Sequence, residues 1–298
     1  KRGAPLCRDA AALLAAEQAL EFWANRNNGG GRERDDARRR RRDRSPLEED
    51  AGTAYRLFAA LHHFHGRHGR VLTNGMYSHV VDALARSPNV DHVRMADALL
   101  RQFIWLYLAH NAGGDGERDP SALMRLWELR DPALSDCESR GASKLSPVAP
   151  SAPLPIPDGI QWNASDSHHF PNAIRITEVA RGCAGSSLPE DAESLLALMI
   201  SLSCLNGGRH RRMFRPNEVG FATVIDAYSR THDGPNAERA LQMMKGRSFR
   251  TGEALDRKAL RDEMGLPLVN GANVVAYNAA IGAWARSAKG APAGDSGG

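Results

Sequence analysis

The chain has little of what metal sites, redox centres and membrane spans are built from. Its four cysteines, Cys7, Cys137, Cys183 and Cys204, form no CxxC pair and show no metal-ligand spacing. That excludes a cysteine-based zinc site and fits a reducing compartment. Cys183 falls in a helix-like stretch where a buried thiol is common. Lysine occurs only as Lys1, Lys144, Lys245, Lys258 and Lys289. No run of about 18 apolar residues occurs, so no membrane span is expected. An aspartate cluster, an HxE with PCxxC, a P-loop and a GxSxG are all missing, so the chain reads as a non-enzyme without a cofactor. His62, His63, His65 and His68 cluster, but no carboxylate or cysteine is spaced to complete a tetrahedral site, so no metal is expected. Those imidazoles suit the negative end of a helix dipole instead.

Arginine carries the positive charge, and it is unevenly placed. The net charge is +4, yet the run at 37–44 alone holds Arg38 to Arg42 and Arg44 against Asp43. The remainder is close to neutral, which is compatible with nucleic acid without requiring it. The abundance of alanine, glycine and arginine is explained equally by helix interiors or by a codon bias of the source genome. The chain begins KRGAP, without methionine, as expected of a fragment or a processed form. A transit peptide cannot be read from it. Asn163-Ala164-Ser165 forms a glycosylation triplet, but nothing else suggests secretion.

What is present is repetition. Aligning the chain on Phe221 brings YSHVVDALARS from Tyr77, ITEVARGCAGS from Ile176 and YNAAIGAWARS from Tyr277 into register. A second element recurs as AEQAL at Ala16, ADALL at Ala96, AESLL at Ala192 and AERAL at Ala237. From anchor to second-element alanine the spacing is 19, 16 and 16 residues, whereas successive anchors lie 99, 45 and 56 apart. The hairpin is constant and the connectors vary. One such hairpin cannot bury both helices, so neighbours are expected to stack as an all-α solenoid.

The segments follow from this pattern. Residues 1–26 read as a degenerate repeat helix of the second type, and 27–46 as an Arg/Gly-rich disordered insertion. Residues 47–110 return to repeat-like helices, in which Val93, Ala96, Leu99, Leu100, Phe103, Ile104 and Leu106 are spaced for burial. A Pro/Gly/Ser-rich insertion at 111–170 interrupts the array. Repeats resume over 171–290, with a further insertion at 247–271, and 291–298 reads as a flexible tail. HFPN before Ala173, FRPN before Glu218 and VNGAN before Val274 mark the joints, where proline ends one pair and asparagine favours the next helix start.

With joints, anchors and the Ala-Glu-x-x-Leu element in place, the chain resembles the pentatricopeptide repeat family. The segments at 216–244 and 272–290 carry the resemblance best, and about half of the chain is covered. It implies a right-handed superhelix of antiparallel helix hairpins, here with long disordered insertions, that binds single-stranded RNA. It also implies a noncatalytic adaptor role in organellar RNA processing, stability or translation, in mitochondrion or plastid. One base per repeat is read by two or three side chains. The base-edge positions implied are Ser78, Thr177, Ala222 and Asn278, and the closing positions Asn172, Asn217 and Asn273. Ile174, Val219 and Val275 would wedge between bases, while Gly75 supplies no wedge. Ser78 with Asn172 and Thr177 with Asn217 would favour adenine, Asn278 a pyrimidine, and Ala222 would be permissive. The insertions are candidate contacts for protein partners.

Each position also has a purely structural reading. Asparagine before a helix is a common N-cap, and the three aliphatic residues suit a helix core. Their recurrence at one repeat phase favours a binding strip. The alternative function is a protein-binding helical repeat scaffold of the tetratricopeptide type, favoured by the low charge outside the arginine run.

Overall fold

The computed structural model describes residues 6–25, 45–68, 72–112, 157, 160–162, 169–203, 212–245 and 272–290. Among the described residues the chain is all-α, with nine helices and one isolated parallel bridge between Thr73 and Gln161. The helices are α1 (Leu6–Asn25), α2 (Ser45–His68), α3 (Asn74–Ala85), α4 (Val90–Ala112) and α5 (Ala173–Gly185). They continue with α6 (Pro189–Ser203), α7 (Glu218–Arg230), α8 (Gly234–Met244) and α9 (Val274–Gly290). None of these is long and apolar enough to cross a membrane. Most of the expected insertions and the tail lie outside the described residues. The expectation of disorder is corrected at two edges: α2 already starts at Ser45, and 160–162 and 169–170 pack against helices.

Two compact units emerge, one of residues Lys1–Leu84 with Arg94–Pro171, the other of Ala85–Val93 with Asn172–Gly298. In the first, Tyr77 is the centre. Its ring meets Phe58 of α2 edge-on at 4.9 Å and stacks on Phe103 of α4 at 5.3 Å, and its hydroxyl donates to Gln102 Oε1 at 3.3 Å. Burial without a charged partner pushes the phenol well above its ordinary range. All seven α4 positions expected in the core are buried. His62 is buried too, its ring 6.2 Å from Phe58, so it packs inward instead of serving the helix end. No cluster able to hold a metal occurs among the described residues.

In the second unit the helices pair as α5 with α6 and α7 with α8, and α9 follows. Each first helix also touches the next first helix, α5 on α7 and α7 on α9, and each second helix touches the following first helix. The register of these contacts is written in the anchors. Ile176 and Phe221 are buried, as are Val179, Val224 and Ala280 three residues on. Six residues past the anchor stand small side chains, Gly182, Ala227 and Ala283. Gly182 is there because α5 runs against the backbone at the end of α3: a Cβ would collide with the carbonyl oxygen of Ala85 and lie 3.4 Å from Val93 Cγ1.

Both hairpin turns use the same termination. Leu188 N–H bonds Cys183 O at 2.9 Å and Ser187 N–H bonds Ala184 O at 3.3 Å, while Asp233 N–H bonds Tyr228 O at 2.9 Å and His232 N–H bonds Ser229 O at 3.4 Å. These are the paired bonds of the Schellman motif, which needs a left-handed residue between them. Ser187 (φ 59°) and His232 (φ 63°) fill that position although neither is glycine. The residue that closes the second turn, Asp233, caps α8 by accepting from Asn236 N at 3.0 Å. A turn of three residues therefore ends one helix and starts the next.

Two glycines of α5 separate close packing from mere propensity. Gly182→Ala is expected to destabilise the protein by ~1–3 kcal/mol, because the obstructing atom belongs to backbone that cannot rotate away. Gly185→Ala, where nothing lies within 4 Å, is expected to stabilise it by ~0.5–1 kcal/mol through helix propensity. Denaturant unfolding followed by helical circular dichroism measures both; equal signs would refute the close approach.

Candidate functional site

The first turns of α5, α7 and α9 repeat one arrangement. Asn172 Oδ1 accepts from Arg175 N at 3.0 Å, Asn217 Oδ1 from Gly220 N at 2.9 Å and Asn273 Oδ1 from Ala276 N at 2.9 Å. All three closing asparagines are thus N-caps, with one carbonyl oxygen spent on the helix. Asn273 reaches further, its Nδ2 donating to Glu218 Oε2 at 3.4 Å, which ties the start of α9 to the start of α7.

Two residues beyond each cap comes an aliphatic side chain, and here the core reading fails. Ile174 is 68% exposed, Val219 43% and Val275 66%. Nearly every other large apolar residue of α5 and α7 is buried, so Ile174 and Val219 break the amphipathic pattern in the same place, while on α9 Val275 is exposed together with Val274, Tyr277, Ile281 and Trp284. α5 touches α7 and α7 touches α9, and each of the three side chains stands in the first turn of its helix. Exposed Arg215 lies two residues before the Asn217 cap, and exposed Lys245 places its ammonium 5.6 Å from the Tyr277 ring centroid.

The positions expected to face base edges divide. Asn278 is exposed and Ala222 half-buried, but Thr177 is only 4% exposed and donates its hydroxyl to Ala173 O at 2.7 Å. Ser78 is fully buried, with His169 Nδ1 3.1 Å from its Oγ. The expectation that Ser78 and Thr177 present hydroxyls to a ligand is therefore corrected: one is covered by another segment, the other is bonded back onto its own helix. Asn172 and Ser78 also fall in different units. Gly75, the position without a wedge, lies under the Glu17 carboxylate of α1, which accepts from Thr73 Oγ1 at 2.9 Å.

The acid of the Ala-Glu-x-x-Leu element links neighbouring hairpins. Glu193 of α6 accepts from the Tyr228 hydroxyl of α7, and Glu238 of α8 accepts from Trp284 Nε1 of α9 at 3.0 Å. Both donors stand seven residues past an anchor, and both acids directly follow the element's alanine. This link went unread in the sequence, although the recurring acid was its signal. Arg239 completes the first link, Nη2 donating to Glu193 Oε2 at 2.7 Å. Burial raises the Glu193 carboxyl above its ordinary value, outweighing the lowering effects of the Tyr228 bond and of Arg239. Burial, then the neighbouring carboxylate, pushes Tyr228 far upward, so its hydroxyl stays a donor.

No family model, curated protein or solved structure matches the chain. The site consists of exposed aliphatic side chains beside asparagine-capped helix starts.

The buried carboxyl gives a pH test. Since Glu193 holds its proton more tightly folded than unfolded, its stabilising contribution is full below the unfolded carboxylate pKa. It is lost as pH rises through the raised folded value. Glu193→Gln keeps an acceptor for Tyr228 and removes the titration, so stability against pH should flatten across that interval. Denaturant midpoints at stepped pH measure this; an unchanged slope would show that Glu193 is not the titrating group.

Proposed function

We propose that this chain binds single-stranded RNA along the row formed by Ile174, Val219 and Val275, as a noncatalytic adaptor built like a pentatricopeptide repeat solenoid. The observation that supports it is the exposure of those three aliphatic side chains at one repeat phase. Leaving three branched apolar groups in water in the same register serves no packing purpose, and such groups suit the faces of unstacked bases. Single-stranded RNA offers bases that can be splayed apart in this way. Asn278, exposed beside the row on α9, is the residue best placed to contact a base edge, and Ala222 leaves its hairpin permissive.

The Asn172, Asn217 and Asn273 side chains keep an amide NH₂ after capping. They contribute to recognition through Nδ2 alone in this reading, and Asn273 shares that group with Glu218. In a right-handed superhelix the contacts between successive first helices would continue the row along a concave groove. Mitochondrion or plastid is the compartment that goes with this reading. The insertions are places for protein partners.

Near-neutral charge outside the arginine run sets a further condition on the reading. Affinity that comes from the row should survive salt better than affinity that comes from arginine, because counterion release scales with phosphate contacts. Substituting Ile174, Val219 and Val275 together by serine adds no charge and touches no core, so the fold is expected to hold. Binding of labelled, unstructured RNA should weaken by at least about tenfold, ~1.4 kcal/mol. The measurement is fluorescence anisotropy at about 50 and 200 mM salt. Unchanged affinity in the triple variant would exclude the row as the site. No affinity for RNA at the lower salt would exclude the reading and favour a protein-binding scaffold.

A further inference from the structure

Within the second unit, α7 and α9 meet the same neighbours on one flank, the preceding first helix and the preceding second helix. Their other flank differs. Phe221, Ile225 and Tyr228 of α7 are buried, whereas Tyr277, Ile281 and Trp284 at the same places on α9 are exposed, Ile281 by 64% against 0% for Ile225. Val274, Ala285 and Ala288 are exposed as well. Steps of three and four put these six residues on one face of α9, and none of them carries a charge. A single apolar residue at a surface needs no explanation, but a contiguous apolar face marks an interaction site.

A polar contact at the rim tells which kind of neighbour fits that face. Around α7, Glu193 of the preceding second helix accepts from the Tyr228 hydroxyl. Arg239, on the second helix of α7's own hairpin, reaches both, its Nη2 lying 2.7 Å from Glu193 Oε2 and 3.5 Å from the hydroxyl. In this arrangement Glu193 is 5% exposed. On α9 the acid and its donor recur as Glu238 and Trp284, 3.0 Å apart. Among the described residues no guanidinium joins them, and Glu238 is exposed. The acid and the donor are in place for a cation that a second helix would bring. α6 and α8 show the apolar face of such a helix: Ala192, Leu196 and Met199 are buried on one, Ala237, Leu241 and Met244 on the other.

We propose that the Val274, Tyr277, Ile281 and Trp284 face of α9 is a docking surface for one amphipathic helix of a partner protein. That helix lies antiparallel to α9, as α8 does to α7. It carries alanine, leucine and methionine at successive steps of four and three, and an arginine two residues past the alanine that pairs with Glu238. The proposal continues the hairpin interface already present twice in this unit, and it does not depend on the RNA-binding reading. Val219 stays 43% exposed with α8 in place, so a helix docked in the same way leaves Val275 open.

The test uses the 298-residue chain carrying Ala285→Cys as a reporter on the face. The probe is a peptide of residues 233–245 with Gln242→Lys, joined to Glu238 by a lactam that holds it helical, since so short a helix is marginal alone. Maleimide labelling at position 285 is followed by peptide mass spectrometry. It should be fast in the free chain and slow at least about fivefold, saturably, as peptide is added to about 1 mM. Leu241→Asp in the peptide, or Ile281→Ser in the chain, should abolish the protection. Arg239→Glu in the peptide should weaken it at least about threefold at low salt, and Glu238→Arg in the chain should restore it. Undiminished labelling at the highest peptide concentration would overturn the docking surface. Equal protection by the Leu241→Asp peptide would overturn the apolar match, and indifference to Arg239→Glu the pairing with Glu238. Slow labelling in the free chain that quickens on dilution would show that a second copy covers the face, and would overturn the partner helix.

Discussion

A hairpin of two short helices has more apolar surface than it can hide by folding on itself, and the second unit is arranged around that constraint. Each first helix is apolar on two flanks. One flank is taken by its own second helix, and the other by the next first helix. Burial supplies the main favourable term, so a hairpin without neighbours leaves a large part of it unrealised. The small residues Gly182, Ala227 and Ala283 let the first helices approach, and Gly182 does so against backbone. Buried Glu193 and Tyr228, joined by half-buried Arg239, then fix one angular relation between hairpins, because a carboxylate this enclosed must meet its donors.

Against that background the exposed row is costly in a specific way. Ile174, Val219 and Val275 sit next to residues whose burial the packing demands, and each could have been polar without loss to the core. Asparagine caps hold the three helix starts in the same local geometry, so each aliphatic group stands at the same place in its own helix. If such exceptions lie side by side, they offer an extended ligand a continuous contact. The functional reading draws its force from that recurrence and from nothing that a single residue does.

Much of this was legible before the coordinates. The period-3.6 burial of α4, the helix joints at the FPN, RPN and GAN segments, and the buried Cys183 follow from local pattern, because core contacts and caps depend on residue type and spacing. The base-edge expectations fared differently. Thr177 and Ser78 occupy the same register as exposed Asn278, yet hydroxyls bond to the nearest acceptor, and which acceptor is nearest depends on tertiary neighbours. A connector rich in proline and serine gave no sign that Trp162 and His169 would dock, although two aromatic rings flanking a polar stretch are hard to leave in water. The Ser187 and His232 turns escaped for a related reason. Left-handed backbone is usually announced by glycine, and here two other residues accept the strain because the paired carbonyl bonds hold them there.

The last helix separates the two flanks cleanly. Among the described residues none form a helix after α9, and its side chains sort accordingly. Ala276, Ala280 and Ala283 are buried, whereas Tyr277, Ile281 and Trp284 are 39%, 64% and 46% exposed. The large positions correspond to Phe221, Ile225 and Tyr228 of α7, all buried beside a second helix. The small residues are therefore covered by the preceding hairpin, whereas the large positions are fully covered only where a second helix of the same hairpin is also present. Small residues fix how close two helices come and leave little to interlock, so angular register must come from elsewhere. Trp284 shows where: its ring packs on Gly234, 2.7 Å from where a Cβ would stand, while its indole N–H reaches Glu238. The same acid-to-donor bond recurs between α6 and α7. Register is set by these bonds and by the capped starts, which is why connectors of very different length can join hairpins of one geometry.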